Sequence, residues 1–476
     1  MSIANMWTDL TDFSPACLPI TLNREIVGKA MEEGKNRHAW VLAFVVGTKP
    51  CFNKVYGAVQ ACFRRGIPFF VIDANQHYDS VLTFGLEEFS FTPHVGVNLQ
   101  LRGDLAQKSG EMFFKVSRLA RWLRDNWPSV TVVPVVNGDT ILCPIVPAAW
   151  MFTRREKSIQ NEAGLRSMAP EIFKNMALDI SLKDFMAGQW HGPWNLLRTE
   201  PFPEQWDTFV SAAGCEHHMV PVEINRQNLL REGYPADHIH LTGGVVVDAL
   251  ELKRKEKMPE SVFTIYPPLA DGKWIRLDIH RKENLSQRRF SAIFGALEEL
   301  VDRGHKVTFV LMNATKHAIE RWQLTERLEK LSQRSNFLAT DVWPAYGHVV
   351  EFYDSVHCLA AWTDSGGVQE DMNLLGKPCL TIRFNTDRPE TVMGNHGNIL
   401  VPPISPEFLA RVVRGIIEDD SFLAKLRGAE PIYGSAAGEK FADAIAPYAA
   451  SNARAFRWSQ NILGFDTSRL EEDIEF

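Results

Sequence analysis

The sequence predicts an α/β protein made of two Rossmann-like, doubly wound domains facing a central cleft. Three observations carry that expectation. Short apolar runs alternate with helix-spaced segments in both halves of the chain, as in parallel sheets covered by helices on both faces. Polar clusters follow run after run, at the strand ends where ligands gather in such sheets. At 476 residues the chain is also too long for one ordinary hydrophobic core. The expected division is 1–235 for an N-terminal domain and 236–439 for a C-terminal one. A C-terminal helix in 440–476 can pack back on the first.

Taken in order, residues 1–38 have little periodicity and read as an N-terminal extension. Trp40 to Val46 reads as a buried strand ending in Gly47-Thr48-Lys49-Pro50, with helical spacing over Val55 to Arg65. Pro68 to Ile72 is a second strand, leading into Gln76-His77-Tyr78-Asp79. Lys115 to Asn126 is an amphipathic helix before a third strand, Val130 to Val136, which ends at Gly138-Asp139-Thr140. Then come Glu162-Ala163-Gly164-Leu165-Arg166, a long aromatic-bearing segment from Met168 to Thr199, and Phe202-Pro203-Glu204. Asn225 to Gly233 reads as a glycine-stopped helix, Leu241-Thr242-Gly243-Gly244 as a strand end, and Glu251 to Lys257 as a solvated charged stretch near the domain junction. The second α/β pattern has expected strands at Val262 to Tyr266, Lys306 to Leu311, His357 to Trp362 and Cys379 to Arg383. Its helices are Arg288 to Asp302, Ala314 to Leu331, Leu409 to Glu418 and Ala437 to Tyr448. No internal repeat or low-complexity segment interrupts them.

Composition narrows the function classes. A net charge of −7 spread along the chain argues against a general nucleic-acid binder. Apolar runs are far too short to cross a bilayer, and the N-terminus lacks the basic-then-apolar pattern of a secretory signal. Seven scattered cysteines with no C-x-x-C pair read as free thiols in a reducing cytoplasm, neither a zinc site nor a disulfide framework. No metal or cofactor is expected.

The chemistry centres on Thr363-Asp364-Ser365-Gly366-Gly367-Val368-Gln369-Glu370-Asp371. Two glycines between a strand and a helix let backbone approach a ligand, and the helix's unpaired N–H groups suit an anion, phosphate above all. Ser365 adds a hydroxyl donor, and a carboxylate one turn on can hold two ribose hydroxyls. An ordinary glycine turn is the plain alternative for Ser-Gly-Gly alone. The next loop adds Arg383 and Arg388, whose forks match phosphate oxygens. His280-Arg281-Lys282 concentrates an imidazole and two cations at another strand end. The first domain supplies the opposite sign through Asp139, Glu162 and Glu204, each also readable as a cap or a surface charge. Crowded carboxylates have raised pKa values and can move protons at a sugar carbon.

On these motifs the chain resembles the UDP-N-acetylglucosamine 2-epimerase family, from about Gly47 to about Val401. The family's T-D-S-G-G-x-Q-E-E, x-L-G-K-P and R-x-x-T-E-R-P-E are matched by Thr363 to Glu370, Leu375 to Pro378 and Arg383 to Glu390. Its G-D-T, E-A-G-L-R, F-P-E, H-R-x-E-N and Q-H-Y-D align with 138–140, 162–166, 202–204, 280–284 and 76–79. The resemblance implies a GT-B fold and an isomerase that inverts C2 of a nucleotide sugar through a glycal. It also implies a nucleotide-sugar ligand such as a UDP-sugar, and a homodimer. By position, Asp139, Glu162 and Glu204 would be the acid/base and sugar-positioning carboxylates, and His280 would stabilise the leaving diphosphate. Ser365, Gly366 and Gly367 would hold phosphate, Asp371 the ribose, and Arg388 and Lys49 the pyrophosphate. Arg166, Arg281, Glu370 and Arg383 fall in the same motifs and are assigned to substrate binding. Gln76 and His77 would line a second nucleotide-sugar site. A hydrolysing epimerase, a GT-B glycosyltransferase and an idle nucleotide-sugar sensor are the competing readings.

Departures from the pattern cluster around the sugar. Lys49-Pro50-Cys51 stands for Arg-Pro-Glu, Gln160-Asn161 for His-Val, and Gln205 to Thr208 for E-x-N-R. The ribose carboxylate shortens to Asp371, and Gly244 replaces an asparagine. Met168 to Thr199 is extra length, expected to be either a lid over the sugar end of the cleft or a dimer contact or surface hairpin.

Overall fold

The structure is a computed structural model describing residues 19–47, 49–74 and 86–452, with the backbone alone at 461–462 and 465–466. Gln76 and His77, and the side chain of Lys49, lie outside the described residues. Among the described residues no helix is long and apolar enough to cross a membrane.

The fold divides into two compact units. The first takes the described residues up to Ala163, Val210–Met219, and those from Phe441 on; the second takes Gly164–Phe209 and Val220–Lys440. The first unit contains β1 (Thr21–Leu22), β2 (Val41–Val46), β3 (Phe69–Asp73), β4 (Val95–Asn98), β5 (Val132–Asn137) and β6 (Ser158–Asn161). Next in the chain, the second unit holds a hairpin, β7 (Met168–Pro170) and β8 (Trp194–Leu196), before β9 (Cys215–Val220) returns to the first sheet. The first-unit strands run β1-β4-β3-β2-β5-β6-β9, parallel except for β1. Helices on both faces leave β2 buried at every residue, which is why it reads as an unbroken apolar run. The chain's last helix reaches this unit too, with the Phe441 ring 5.9 Å from that of Phe44 and Trp40 N–H donating to Ala449 O at 2.9 Å.

In the second unit, β10 (Ile239–Leu241) precedes β11 (Trp274–Asp278), β12 (Lys306–Leu311), β13 (Phe337–Asp341), β14 (Cys358–Thr363), β15 (Cys379–Thr381) and β16 (Asn398–Leu400). The last six form an all-parallel sheet in the order β13-β12-β11-β14-β15-β16, so β16 is an edge. Helices Gln287–Asp302 and Pro406–Glu418 bury Ile293, Leu297, Leu300, Leu409, Val413 and Ile416 in one core. These two halves are the two Rossmann-like folds that the alternating pattern predicts.

Several elements differ from the sequence reading, each for a physical reason. Val262 to Tyr266 is no strand. Val262–Ile265 is one helical turn, capped by Ser261, whose hydroxyl accepts from Phe263 N, and it runs into Pro267-Pro268. The strand lies at Trp274–Asp278, where two charges hid it. Arg276 and Asp278 are buried and paired with each other, and Arg276 also donates to the Tyr353 hydroxyl at 2.8 Å. β6 is masked in the same way, because Gln160 and Asn161 are buried but bonded to Ser211 (2.9 Å) and Asn137 (2.8 Å). The stretch from Ala314 to Leu331 breaks at Gln323, whose φ of 57° separates Asn313–Arg321 from Thr325–Ser332. The supposed extension holds helix Arg24–Arg37, which buries Val27, Ala30 and Met31 and is capped by Asn23.

The extra segment is part of the second unit. Between β7 and β8, helix Leu182–Trp190 drops Phe185 and Met186 into that unit's core, with the Phe185 ring 5.8 Å from Phe408. Arg411 donates to Leu178 O (2.7 Å) and Ile180 O (3.0 Å). Because this packing holds Gly164–Phe209 in the second unit, Glu204 belongs there, and not to the first domain where the sequence reading put it. If the segment is core and not a free flap, Phe185→Ala should cost about 3–5 kcal/mol in urea unfolding. Leu178→Ala, at a side chain 53% exposed, should change stability by less than about 0.5 kcal/mol.

Candidate functional site

Each unit carries its own cluster of charged side chains at strand ends. In the first, β5 ends at Asn137 and β6 at Asn161, and the residues that follow are Gly138-Asp139 and Glu162. Glu162 is fully buried and has a φ of 63°, a left-handed conformation that a non-glycine residue keeps only where its surroundings compel it. Its Oε2 accepts from Lys54 Nζ at 2.5 Å, and the same ammonium is 3.7 Å from Asp139 Oδ1. Gly138 has a φ of 75°, and a Cβ there would stand 2.5 Å from Glu162 Oε2 and 2.7 Å from Lys54 Nζ. A side chain there would displace that ion pair. Lys54 was missed in the sequence because it sits within an ordinary-looking helix, Lys49–Arg65. Its one signal was a cation one turn beyond the Lys49-Pro50 loop.

In the second unit, β14 runs into helix Gly366–Leu374 through Asp364-Ser365. Ser365 is the cap residue but its hydroxyl makes no capping bond, and the first-turn N–H groups have no acceptor within the helix. A helix start of this kind suits an anion. Asp364, fully buried, holds the neighbouring loop in place. Its carboxylate accepts from His280 N (3.1 Å), Arg281 N (3.0 Å) and Asn284 Nδ2 (3.1 Å). It also lies 3.1 Å from His280 Nδ1. Asp278, His280 and Asp364 bring three potential ligand atoms within 4.8 Å of one another. Both carboxylates already accept from Arg276, Thr363 and the His280–Asn284 loop, so the cluster works as a brace.

The arginines surround Asp387. Arg383 Nη1 is 2.6 Å and Arg388 Nη1 2.9 Å from its carboxylate, with Arg281 Nη2 at 3.7 Å, and together they hold that carboxyl well below the usual range despite its burial. Arg388 also pairs with the buried Glu370 at 3.2 Å, and Arg281 with Glu204 at 3.3 Å. Arg383 and Arg388 therefore shape the loop from within. A Cβ on Gly366 would stand 2.9 Å from Asp387 Oδ2, so the glycine lets the helix start approach this hub. Glu204, Arg281, Asp364 and Asp387 form one connected group. Arg166 stands apart from it, engaged by Glu232 at 2.7 Å and stacked 4.1 Å from the Phe209 ring.

Two acids close the site. Burial pushes the Asp371 carboxyl up to about 7, against the Tyr346 hydroxyl, which donates to it at 2.8 Å. That hydroxyl holds the shortened side chain. Burial likewise raises Glu390 to about 7, where Tyr433 OH donates at 2.8 Å. Tyr433 also explains Gly244, since a Cβ there would come within 2.7 Å of the tyrosine's own Cβ. The six described cysteines are free and buried, and burial pushes Cys358 and Cys379 up to about 12.

With this geometry in view, the chain can be compared with known proteins. The sequence profile of the family described as UDP-N-acetylglucosamine 2-epimerase matches residues 197–446. The UDP-N-acetylglucosamine 2-epimerase of Methanocaldococcus jannaschii is 27% identical over 366 residues, 76% of this chain and 88% of that protein. The one from Salmonella typhimurium is 28% identical over 405 residues, covering 81% and 93%. A crystal structure of the M. jannaschii enzyme in complex with UDP-GlcNAc and UDP superposes with a TM-score of 0.67 at 25% identity, over 86% of this chain and 99% of that one.

Two measurements check the electrostatics. Lys54→Met removes the ammonium beside a buried carboxylate and should cost about 3–5 kcal/mol. Adding Glu162→Gln should recover at least half of that loss in thermal unfolding, and an additive double mutant would remove the pair from the account. The folded state holds the Asp371 and Glu390 protons more tightly than the unfolded chain, whose carboxyls titrate near 3.8 and 4.5. Stability should therefore fall as pH rises from about 4 to about 7. Asp371→Asn should flatten that slope by about half, as read from melting temperatures between pH 4.5 and 7.5.

Proposed function

The chain belongs to the UDP-N-acetylglucosamine 2-epimerase family, and from that premise we propose how this nucleotide-sugar 2-epimerase turns over its substrate. The M. jannaschii relative was crystallised with UDP-GlcNAc and UDP, and the ligand proposed here is a UDP-N-acetylhexosamine. A carboxylate removes the C2 proton. The C2–H electrons form the C1=C2 bond, the C1–O bond breaks, and the nucleoside diphosphate leaves with that pair. A proton delivered to the opposite face of C2 and re-addition of the diphosphate at C1 complete the inversion.

The observation that carries this reading is the buried group in which Lys54 holds Glu162 at 2.5 Å and Asp139 at 3.7 Å. A general base must be held within reach of the proton it takes, and the shared ammonium fixes the two carboxylates side by side. Glu204, joined to Arg281, is the third carboxylate of the set. His280 faces the leaving diphosphate, with Asp364 fixing its ring. The Ser365-Gly366-Gly367 turn binds phosphate through backbone N–H groups. Asp371 takes the ribose, and Lys49 supports the pyrophosphate. Arg383 and Arg388 support it indirectly, through Asp387 and Glu370. The reading includes a homodimer working in the cytoplasm, where the buried thiols would stay reduced.

Incubation with UDP-GlcNAc in deuterated water should place deuterium at C2 of intact nucleotide sugar. Released UDP with no label at C2 would instead mean transfer or simple hydrolysis. Asp139→Asn, Glu162→Gln and Glu204→Gln should each bind UDP while losing about 10²–10⁴ in kcat. Full rate in all three would refute the assigned roles.

A further inference from the structure

We propose that the extra segment, Met168 to Thr199, is a fixed brace that sets the geometry of the diphosphate-holding loops, with Gln189 as its positioning residue. The proposal rests on the reading of those loops as a diphosphate site, and it gives a task to the one long stretch that the family pattern lacks.

β16 pairs with β15 on one side, and an edge strand ordinarily presents unpaired N–H and C=O groups on the other. Gln189, fully buried, covers that side as a strand would. Its Nε2 donates to Leu400 O at 3.0 Å and its Oε1 accepts from Leu400 N at 2.8 Å. Beside it, Trp190 Nε1 reaches Asn398 O at 3.5 Å, and Trp190 O accepts from Gly394 N at 3.0 Å. At the near end of the segment, Met168 and Thr386 exchange two backbone hydrogen bonds, each 2.9 Å. The loop from Arg383 to Gly394 is thus held at both ends by the extra segment.

From β16 the contact runs directly into the site. The Asn398 side chain donates to Gln369 Oε1 and to Thr391 Oγ1, both at 2.9 Å, and accepts from Thr381 at 2.8 Å. Gln369 Oε1 also accepts from Thr386 Oγ1 at 2.7 Å, and its Nε2 donates to Ser365 O at 3.1 Å. Thr391 Oγ1 donates to Arg388 O at 2.7 Å, and Arg388 N to Thr386 Oγ1 at 2.9 Å. This buried network joins the cap of the phosphate-binding helix to the arginine loop, and its outer strand is the one Gln189 grips. Fully satisfied buried networks are rigid, and removing one partner is felt through the rest.

The segment is also tied down at its base by a residue that departs from the family pattern. Gln205 Oε1 accepts from Ser167 N at 2.8 Å, and its Nε2 donates to Leu197 O, closing the hairpin where it leaves and rejoins the chain. Gln205 follows Glu204 directly, so the same closure sets the start of the helix that carries this carboxylate. An extra hairpin and a replaced E-x-N-R thereby find one common cause.

The test compares wild type with Gln189→Met, which keeps the volume and removes the two hydrogen bonds, and with Trp190→Phe, which removes one donor and keeps most of the ring. Leu300→Ala serves as a control, a core truncation in the same unit that removes none of these hydrogen bonds. UDP affinity is measured by calorimetry well below each variant's melting temperature, alongside amide hydrogen exchange over 383–400. Gln189→Met should weaken UDP about tenfold and speed exchange in that stretch. Trp190→Phe should do the same to a smaller degree, and Leu300→Ala should lower Tm with UDP affinity within twofold of wild type. Unchanged UDP affinity in Gln189→Met, or an equal loss in Leu300→Ala, overturns the proposal. If wild type itself fails to bind UDP, the diphosphate reading falls, and the exchange data then decide alone whether the segment braces these loops.

Discussion

One buried carboxylate underlies the second unit's site. Asp364 ends the central strand β14, and its two oxygens collect the backbone N–H groups of His280 and Arg281 and the amide of Asn284. These donors lie 80 or more positions away in sequence. A carboxylate removed from water is tolerable only when its lone pairs are met in this way, so the loop after β11 has little choice about where to sit. The imidazole, the Arg281 fork and the start of helix Gly366–Leu374 all take their places from it.

Around that brace, charges are used in pairs. Asp387 gathers three guanidinium groups, and two of those reach on to Glu204 and Glu370. An arginine so engaged gives the loop its shape and its local field. The first unit applies the same economy with Lys54, one ammonium shared between Glu162 and Asp139. There the arrangement is tight enough to hold Glu162 at a positive φ and to exclude any side chain at Gly138.

The departures from the family pattern fit local compensations. Asp371 is short, and Tyr346 bonds to it. Gly244 stands where a side chain would strike Tyr433. Gln205 closes a hairpin whose far end covers the exposed edge of β16. Covering an edge strand with a buried amide removes a pairing hazard and rigidifies the strand at once.

The fold class, the succession of glycine and polar loops at strand ends, and membership of the family could all be read directly from the sequence. Those features are local, because a period of buried residues or a Ser-Gly-Gly turn is complete within ten positions. Trp274–Asp278 and Ser158–Asn161 could not be recognised as strands, since their buried polar groups find partners only after folding. Lys54 was invisible as a site residue for the same reason, as its carboxylate lies 108 positions away. The unit to which Glu204 belongs, and the carboxylates with which Arg383 and Arg388 pair, were decided by tertiary packing. Periodicity reports which residues are buried, but only the assembled sheets determine which buried charge meets which.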